Sequence, residues 1–121
     1  EKTLPIPELG TEVQARKGVL ELVVLAALWS GRLYGLELIR RLESDAQLAV
    51  PEGTLYPLLN RLRAEGQVDA EWVEAEAGHP RKYYRLTPDG RRRVVQMARF
   101  WRGFAAGIDA VLQPVLTERR K

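Results

Sequence analysis

The sequence predicts a mainly α fold with a small β-hairpin, in which three short helices and the hairpin are followed by one long C-terminal helix. Three observations predict it. Apolar residues recur at helical spacing in successive segments between 17 and 65, two alternating segments flank the turn cluster Ala77-Gly78-His79-Pro80, and a capped, heptad-like apolar series runs from Val94 to Val115. The chain divides accordingly into an N-terminal arm over 1–16, a compact unit over 17–87 and a C-terminal dimerisation helix over 88–121.

Pro5, Pro7 and Gly10 make the first segment an arm, with a helical turn or two credible only from Thr11 to Arg16. From Lys17 to Trp29, Val19, Leu20, Val23, Val24, Ala27 and Leu28 form an apolar face flanked by Leu22, Leu25 and Ala26, so this helix should be covered on most sides. Ser30-Gly31 ends it. After a short link through Leu33, Tyr34 to Asp45 carries Leu36, Ile39 and Leu42 at three-residue steps, which predicts a second, half-exposed helix. Gln47 to Val50 connects it to the third.

The third helix, Pro51 to Glu65, is the one the chain is organised around. Leu55, Leu58, Leu59 and Leu62 fall on one stripe at about 100° per residue and must be buried. Thr54, Tyr56, Pro57, Asn60 and Arg61 occupy the opposite face, and hydroxyls, an amide and a guanidinium suit base edges and phosphates. Pro51 is expected at N1, and Pro57 cannot donate to the Gly53 carbonyl. Gly66 then stands where a glycine closes a helix in the left-handed conformation.

Gln67 to Glu76 alternates, with Val68, Ala70 and Trp72 on one side, and Arg81 to Leu86 supplies a pairing strand rich in tyrosine. Opposed charges, Glu71, Glu74 and Glu76 against Arg81, Lys82 and Arg85, are expected to set the register. Thr87-Pro88-Asp89 reads as an N-cap, an N1 proline and a first-turn acid. Beyond it, Val94, Met97, Trp101, Phe104, Ile108, Val111 and Val115 form a seam too long for so small a body to cover, which implies the same helix of a second subunit.

Helix, helix, helix, two-stranded wing and long helix is the order of a winged helix-turn-helix with a dimerisation helix attached, and there the third helix enters the major groove. The chain resembles the PadR family of transcriptional regulators. The resemblance rests on Gly18-Val-Leu-Glu-Leu, Leu33-Tyr-Gly-Leu-Glu-Leu-Ile, Glu52-Gly-Thr-Leu-Tyr-Pro-Leu-Leu, Glu65-Gly66 and Gly78-His-Pro-Arg-Lys-Tyr-Tyr-Arg-Leu-Thr, followed by Gly90. It implies a dimeric repressor of double-stranded DNA, often released by a small molecule, and the single C-terminal helix looks like the family's shorter branch. Carried over, it makes Thr54, Tyr56 and Pro57 part of the DNA-reading helix and Arg81-Lys82 part of the wing. Asn60 and Arg61 join them by helix geometry, Arg61 as a base reader or a phosphate clamp, and His79 as a wing-tip residue.

The seam suggests a second site. Trp101 with Met97, Phe100 and Phe104, beside the space left by Gly103 and Gly107, is a candidate pocket for a small aromatic effector. Plain core packing accounts for the same residues.

Composition narrows the rest. At 121 residues, the chain has room for a modest core, and 45% hydrophobic with 29% charged residues is ordinary for a folded domain. A net charge of +3 favours anionic partners. The absence of cysteine removes disulfides, thiolate metal sites and thiol nucleophiles, and fits a reducing, cytoplasmic setting. His79 is the single histidine and the carboxylates are not clustered, so neither a metal, a cofactor nor an enzyme mechanism is expected. The apolar run from Val19 to Trp29 is too short to span a membrane. Nothing near Glu1 reads as a signal peptide, though a start at Glu1 rather than Met leaves targeting open. The rival reading is a winged helix used purely for protein–protein contact, which the salt dependence of DNA binding would separate.

Overall fold

The computed structural model describes residues 18–74 and 78–118. The expected arm over 1–16 lies outside the described residues, as do Glu76 and Ala77. In chain order the elements are α1 over 18–27, β1 Leu33–Tyr34, α2 Gly35–Ala46, α3 Glu52–Ala64, β2 Val68–Val73, β3 Arg81–Leu86 and α4 Pro88–Glu118. Among the described residues no helix is long and apolar enough to cross a membrane.

One apolar core joins these elements. It takes Val24, Leu25 and Leu28 from the α1 segment, Leu38 and Leu42 from α2, Leu55, Leu59 and Leu62 from α3, Val68 and Tyr84 from the sheet, and Val94 from α4. As expected, α1 is covered on most sides: Val24 and Leu25 are buried, Val19, Leu20, Leu22, Val23 and Ala27 pack in part against the core, and within 18–27 only Gly18 and Ala26 are exposed, with Trp29 just beyond the helix 44% exposed. In α2 the buried line is Gly35, Leu38 and Leu42, while Leu36 is exposed. Steps of three residues drift by about 60° each around a helix, so Leu36, Ile39 and Leu42 cannot all face one core. Tyr34 is the N-cap of α2 rather than its first residue, and its N–H donates to Glu37 Oε1 at 3.1 Å.

α3 buries Leu55, Leu59 and Leu62 completely and Leu58 in part. Pro51 is its N-cap, not N1: its backbone is extended at φ −69° and ψ 155°, and its carbonyl accepts from both Thr54 and Leu55 N–H at 3.0 Å. With the helix running from Glu52, Pro57 lies inside it. At the other end Gly66 has φ +76°, Gly66 N–H donates to Arg63 O at 3.0 Å and Gln67 N–H to Leu62 O at 2.8 Å. This paired closure satisfies two terminal carbonyls and turns the chain into β2.

The expected hairpin is part of a three-stranded antiparallel sheet in the order β1-β3-β2. β1 adds Leu33 opposite Tyr84 and Tyr34 opposite Tyr83. Charges do not set the β2–β3 register as expected. Asp69 faces Arg85, but Glu71 faces Tyr83 and its carboxylate takes Arg32 at 2.5 Å instead. Trp72, on the same side as buried Val68, is 67% exposed because the wing extends past the helices that cover its base.

Thr87 caps α4 as its sequence implies. Its Oγ1 accepts from Gly90 N–H at 3.0 Å and donates to Gly66 O at 2.6 Å, while Thr87 N–H donates to Gln67 O at 3.1 Å. Gly90 lies against that turn so closely that a Cβ there would sit 2.0 Å from Gln67 O. Within α4 only Gly90 and Val94 are buried. Farther along, Phe104, Ile108, Val111, Leu112, Val115 and Leu116 are exposed by 43 to 75%. The helix continues through Pro114 to Glu118.

Candidate nucleic-acid interface

Burial of the α3 leucines turns Thr54, Pro57, Asn60 and Arg61 outward, all four exposed. Tyr56 is half-buried. Its ring crosses to the start of α2, where a Cβ on Gly35 would lie 1.9 Å from the phenol oxygen. Burial, and then the negative charge of Glu52, push the Tyr56 pKa upward, so it remains a neutral phenol able to donate as well as accept.

Between α3, the start of α2 and β3 lies an open depression of about 430 Å³ lined by Tyr34, Gly35, Leu36, Tyr56, Asn60, Arg81, Lys82 and Tyr84. It brings Tyr56 and Asn60 of the helix together with Arg81 and Lys82 of the wing. Aromatic rings hold those cations. The Arg81 guanidinium lies 4.5 Å from the Tyr34 ring centre, and Lys82 Nζ lies 5.8 Å from both the Trp72 and Tyr84 rings. Of the two neighbouring tyrosines, Tyr84 is the inward one at 2% exposure, its pKa raised chiefly by burial. Tyr83 stands edge-on to Tyr34 at 5.4 Å with the Arg32 guanidinium 4.6 Å from its centre. Thr54 and Pro57 lie on the same helix outside the depression, and His79 is exposed near the wing tip. Sequence reasoning left Tyr34 and Leu36 out of this wall. Nothing local to the start of α2 shows that it lies against α3 and β3, so no sequence signal pointed to them.

Arg61 points elsewhere. Its Nη2 donates to Glu21 Oε1 at 3.1 Å and its Nη1 to Glu65 Oε2 at 3.0 Å. Glu21 also accepts from Arg93 Nε at 2.9 Å. Burial alone would raise the Glu21 carboxyl, but the hydrogen bonds and charges of Arg61 and Arg93 outweigh it and hold its pKa below the ordinary value. Arg61 is correspondingly raised, first by Glu21 and then by Glu65. The run Arg91-Arg92-Arg93 has internal partners throughout. Arg91 Nη2 donates to Trp29 O at 3.1 Å with its guanidinium 4.5 Å from the Trp29 ring centre, Arg92 pairs with Asp89, and Arg93 with Glu21.

On α4, Phe100 stacks on Phe104 at 5.4 Å and Trp101 meets Phe104 edge-on at 5.4 Å. An open apolar groove of about 520 Å³ lies farther along, lined by Gly103, Phe104, Gly107, Ile108, Val111 and Leu112. Of the four expected effector residues, only Phe104 lines it; Met97, Phe100 and Trp101 sit closer to the body. No group of His, Asp and Glu among the described residues could hold a metal ion.

The sequence profile of the Transcriptional regulator PadR-like family matches residues 24–96, from the buried face of α1 to the first turns of α4. Among solved structures, the chain is similar to a PadR-like transcription factor from Bacteroides fragilis, with 36% identity, 84% of this chain and 98% of that one covered, and a TM-score of 0.68. A PadR family transcriptional regulator from Eggerthella lenta shares 32% identity over 86% of this chain and 90% of that one, with a TM-score of 0.75. A PadR-like transcriptional regulator from Bacillus cereus shares 31% identity over 83% and 97%, with a TM-score of 0.76.

Proposed function

The chain belongs to the PadR-like family of transcriptional regulators, and from that premise we propose that it is a cytoplasmic homodimeric repressor of a palindromic operator. Helix α3 enters the major groove with Thr54, Tyr56, Pro57 and Asn60, while Arg81, Lys82 and His79 of the wing follow the adjacent backbone. The observation that carries this assignment is the single depression in which Tyr56 and Asn60 meet Arg81 and Lys82. Hydrogen-bonding groups suited to base edges thus stand beside cations suited to phosphates.

The second subunit is the natural cover for α4. The helix exposes six large apolar side chains from Phe104 to Leu116, four of them in the seam, an area that a monomer would leave to water. A planar aromatic effector held near Met97, Phe100, Trp101 and Phe104 would release the operator by favouring a dimer geometry with mismatched recognition helices.

Selection of bound duplexes from a random pool tests the reading directly. A two-fold symmetric sequence with half-sites about 34–36 Å apart, or a multiple, is expected. Retention of no duplex, or binding without preference for sequence, would overturn it.

A further inference from the structure

The recognition and dimerisation helices are joined at two places. The first is a backbone contact at the end of α3, where Gly66 O and Gln67 O receive Thr87 Oγ1–H and Thr87 N–H, and where Gly90 lies against the Gln67 carbonyl. The second runs through α1. Glu21 divides its carboxylate, giving Oε1 to Arg61 of α3 at 3.1 Å and Oε2 to Arg93 of α4, whose Nε and Nη2 both lie at 2.9 Å. Burial of Val94 and the Arg91–Trp29 contact also seat α4 on the body, and the bridge adds a polar link that reaches α3 more than one helical turn from the backbone contact, so that α3 and α4 are tied at two separate points.

We propose that Glu21 is a positioning residue for DNA binding: by holding Arg61 and Arg93 on one carboxylate it sets the angle between α3 and α4, and so the half-site spacing that a dimer accepts. The inference rests on the proposed dimeric, operator-binding function. Geometry favours Glu21 for this role over a merely solvated acid. Its side chain is only 20% exposed, against 49% for Arg61 and 44% for Arg93, so the anion is the enclosed member and both guanidiniums converge on it from different elements. Depression of its pKa by those two arginines agrees. In a symmetric dimer joined along α4, any change in the α3–α4 angle is doubled between the two recognition helices.

The test uses the full chain and the selected operator, the same operator with its spacer lengthened or shortened by one base pair, and a duplex carrying one half-site. Wild type is expected to lose about tenfold in affinity, roughly 1.4 kcal/mol, when the spacer changes. Glu21→Gln removes the charge and places an amide donor against a guanidinium, and it should reduce that discrimination to about threefold or less while leaving half-site affinity within about twofold. Arg93→Gln breaks the same bridge while leaving Glu21 paired with Arg61, and it should behave alike. A lowered melting temperature with wild-type spacer discrimination in either folded variant would mean that the bridge serves stability only, and would overturn the proposal. Failure of wild type itself to bind any duplex overturns instead the function on which the inference rests.

Discussion

Gly35 and Tyr56 meet so closely that the smallest side chain at Gly35 would occupy the place of the phenol, its Cβ 1.9 Å from the oxygen and 2.6 Å from Cζ. The second helix therefore acts as a rest for the ring carried by α3. Gly35→Ala must swing Tyr56 outward. Because Tyr56 can rotate, the expected destabilisation is at the low end of overpacking, about 1 kcal/mol, whereas operator affinity should fall about tenfold or more. Thermal denaturation and titration of the selected operator separate the two effects, and unchanged affinity would detach Tyr56 from DNA recognition.

Arg61 illustrates a different balance. Its guanidinium is shared by Glu21 and Glu65, so Arg61→Ala is expected to lower stability by about 1 kcal/mol, the scale of a partly exposed ion-pair network. The slope of log affinity against log salt should stay as in wild type. A slope reduced by about one unit would show instead that Arg61 leaves Glu21 to clamp a phosphate.

The same bridge predicts an acid response. Glu21 titrates below its ordinary value of 4.5 in the folded chain, so its contribution is fully present above that pH and lost as the pH falls through the lower, folded-state value. Below about pH 4.5 the melting temperature of wild type should therefore decline more steeply than that of Glu21→Gln. Parallel declines would mean that the carboxylate adds nothing to stability.

Ile108, 44% exposed in the single chain, belongs to the apolar groove of α4. Ile108→Glu would place a carboxylate opposite its counterpart in a two-fold interface, where an unpaired buried charge costs several kcal/mol. Light scattering should report monomer or aggregate, and an intact, well-folded dimer would exclude this face as the interface.

Local chemistry made much of the fold legible. The α3 leucines announced a helix with one buried face, and Thr87-Pro88-Asp89 announced the start of α4, because both signals are contained within a few residues. What stayed hidden depends on distant partners. β1 is two residues long, too short for any period, and exists only because Tyr83 and Tyr84 pair with it. The alternation of β2 identifies the side on which Trp72 lies but not that the helices stop short of it. Arg61 sits on the face that helix geometry gave it, and its i+4 partner Glu65 follows from spacing, yet its other ion-pair partner, Glu21, lies 40 residues away on α1, where no spacing rule points. The juxtaposition of Asn60 with Lys82 is hidden for the same reason.

The closure between Gly66, Gln67, Thr87 and Gly90 has a consequence for how this chain can be altered. Those four residues bring together the two ends of the segment that carries β2, the wing tip and β3, so the segment enters and leaves the body at one spot. Lengthening a loop whose ends are already held together costs little, about 0.6 kcal/mol for each doubling. The distal wing is therefore a natural graft site: tips of other length or charge between Val73 and Arg81 should leave the mutual orientation of α3 and α4 unchanged.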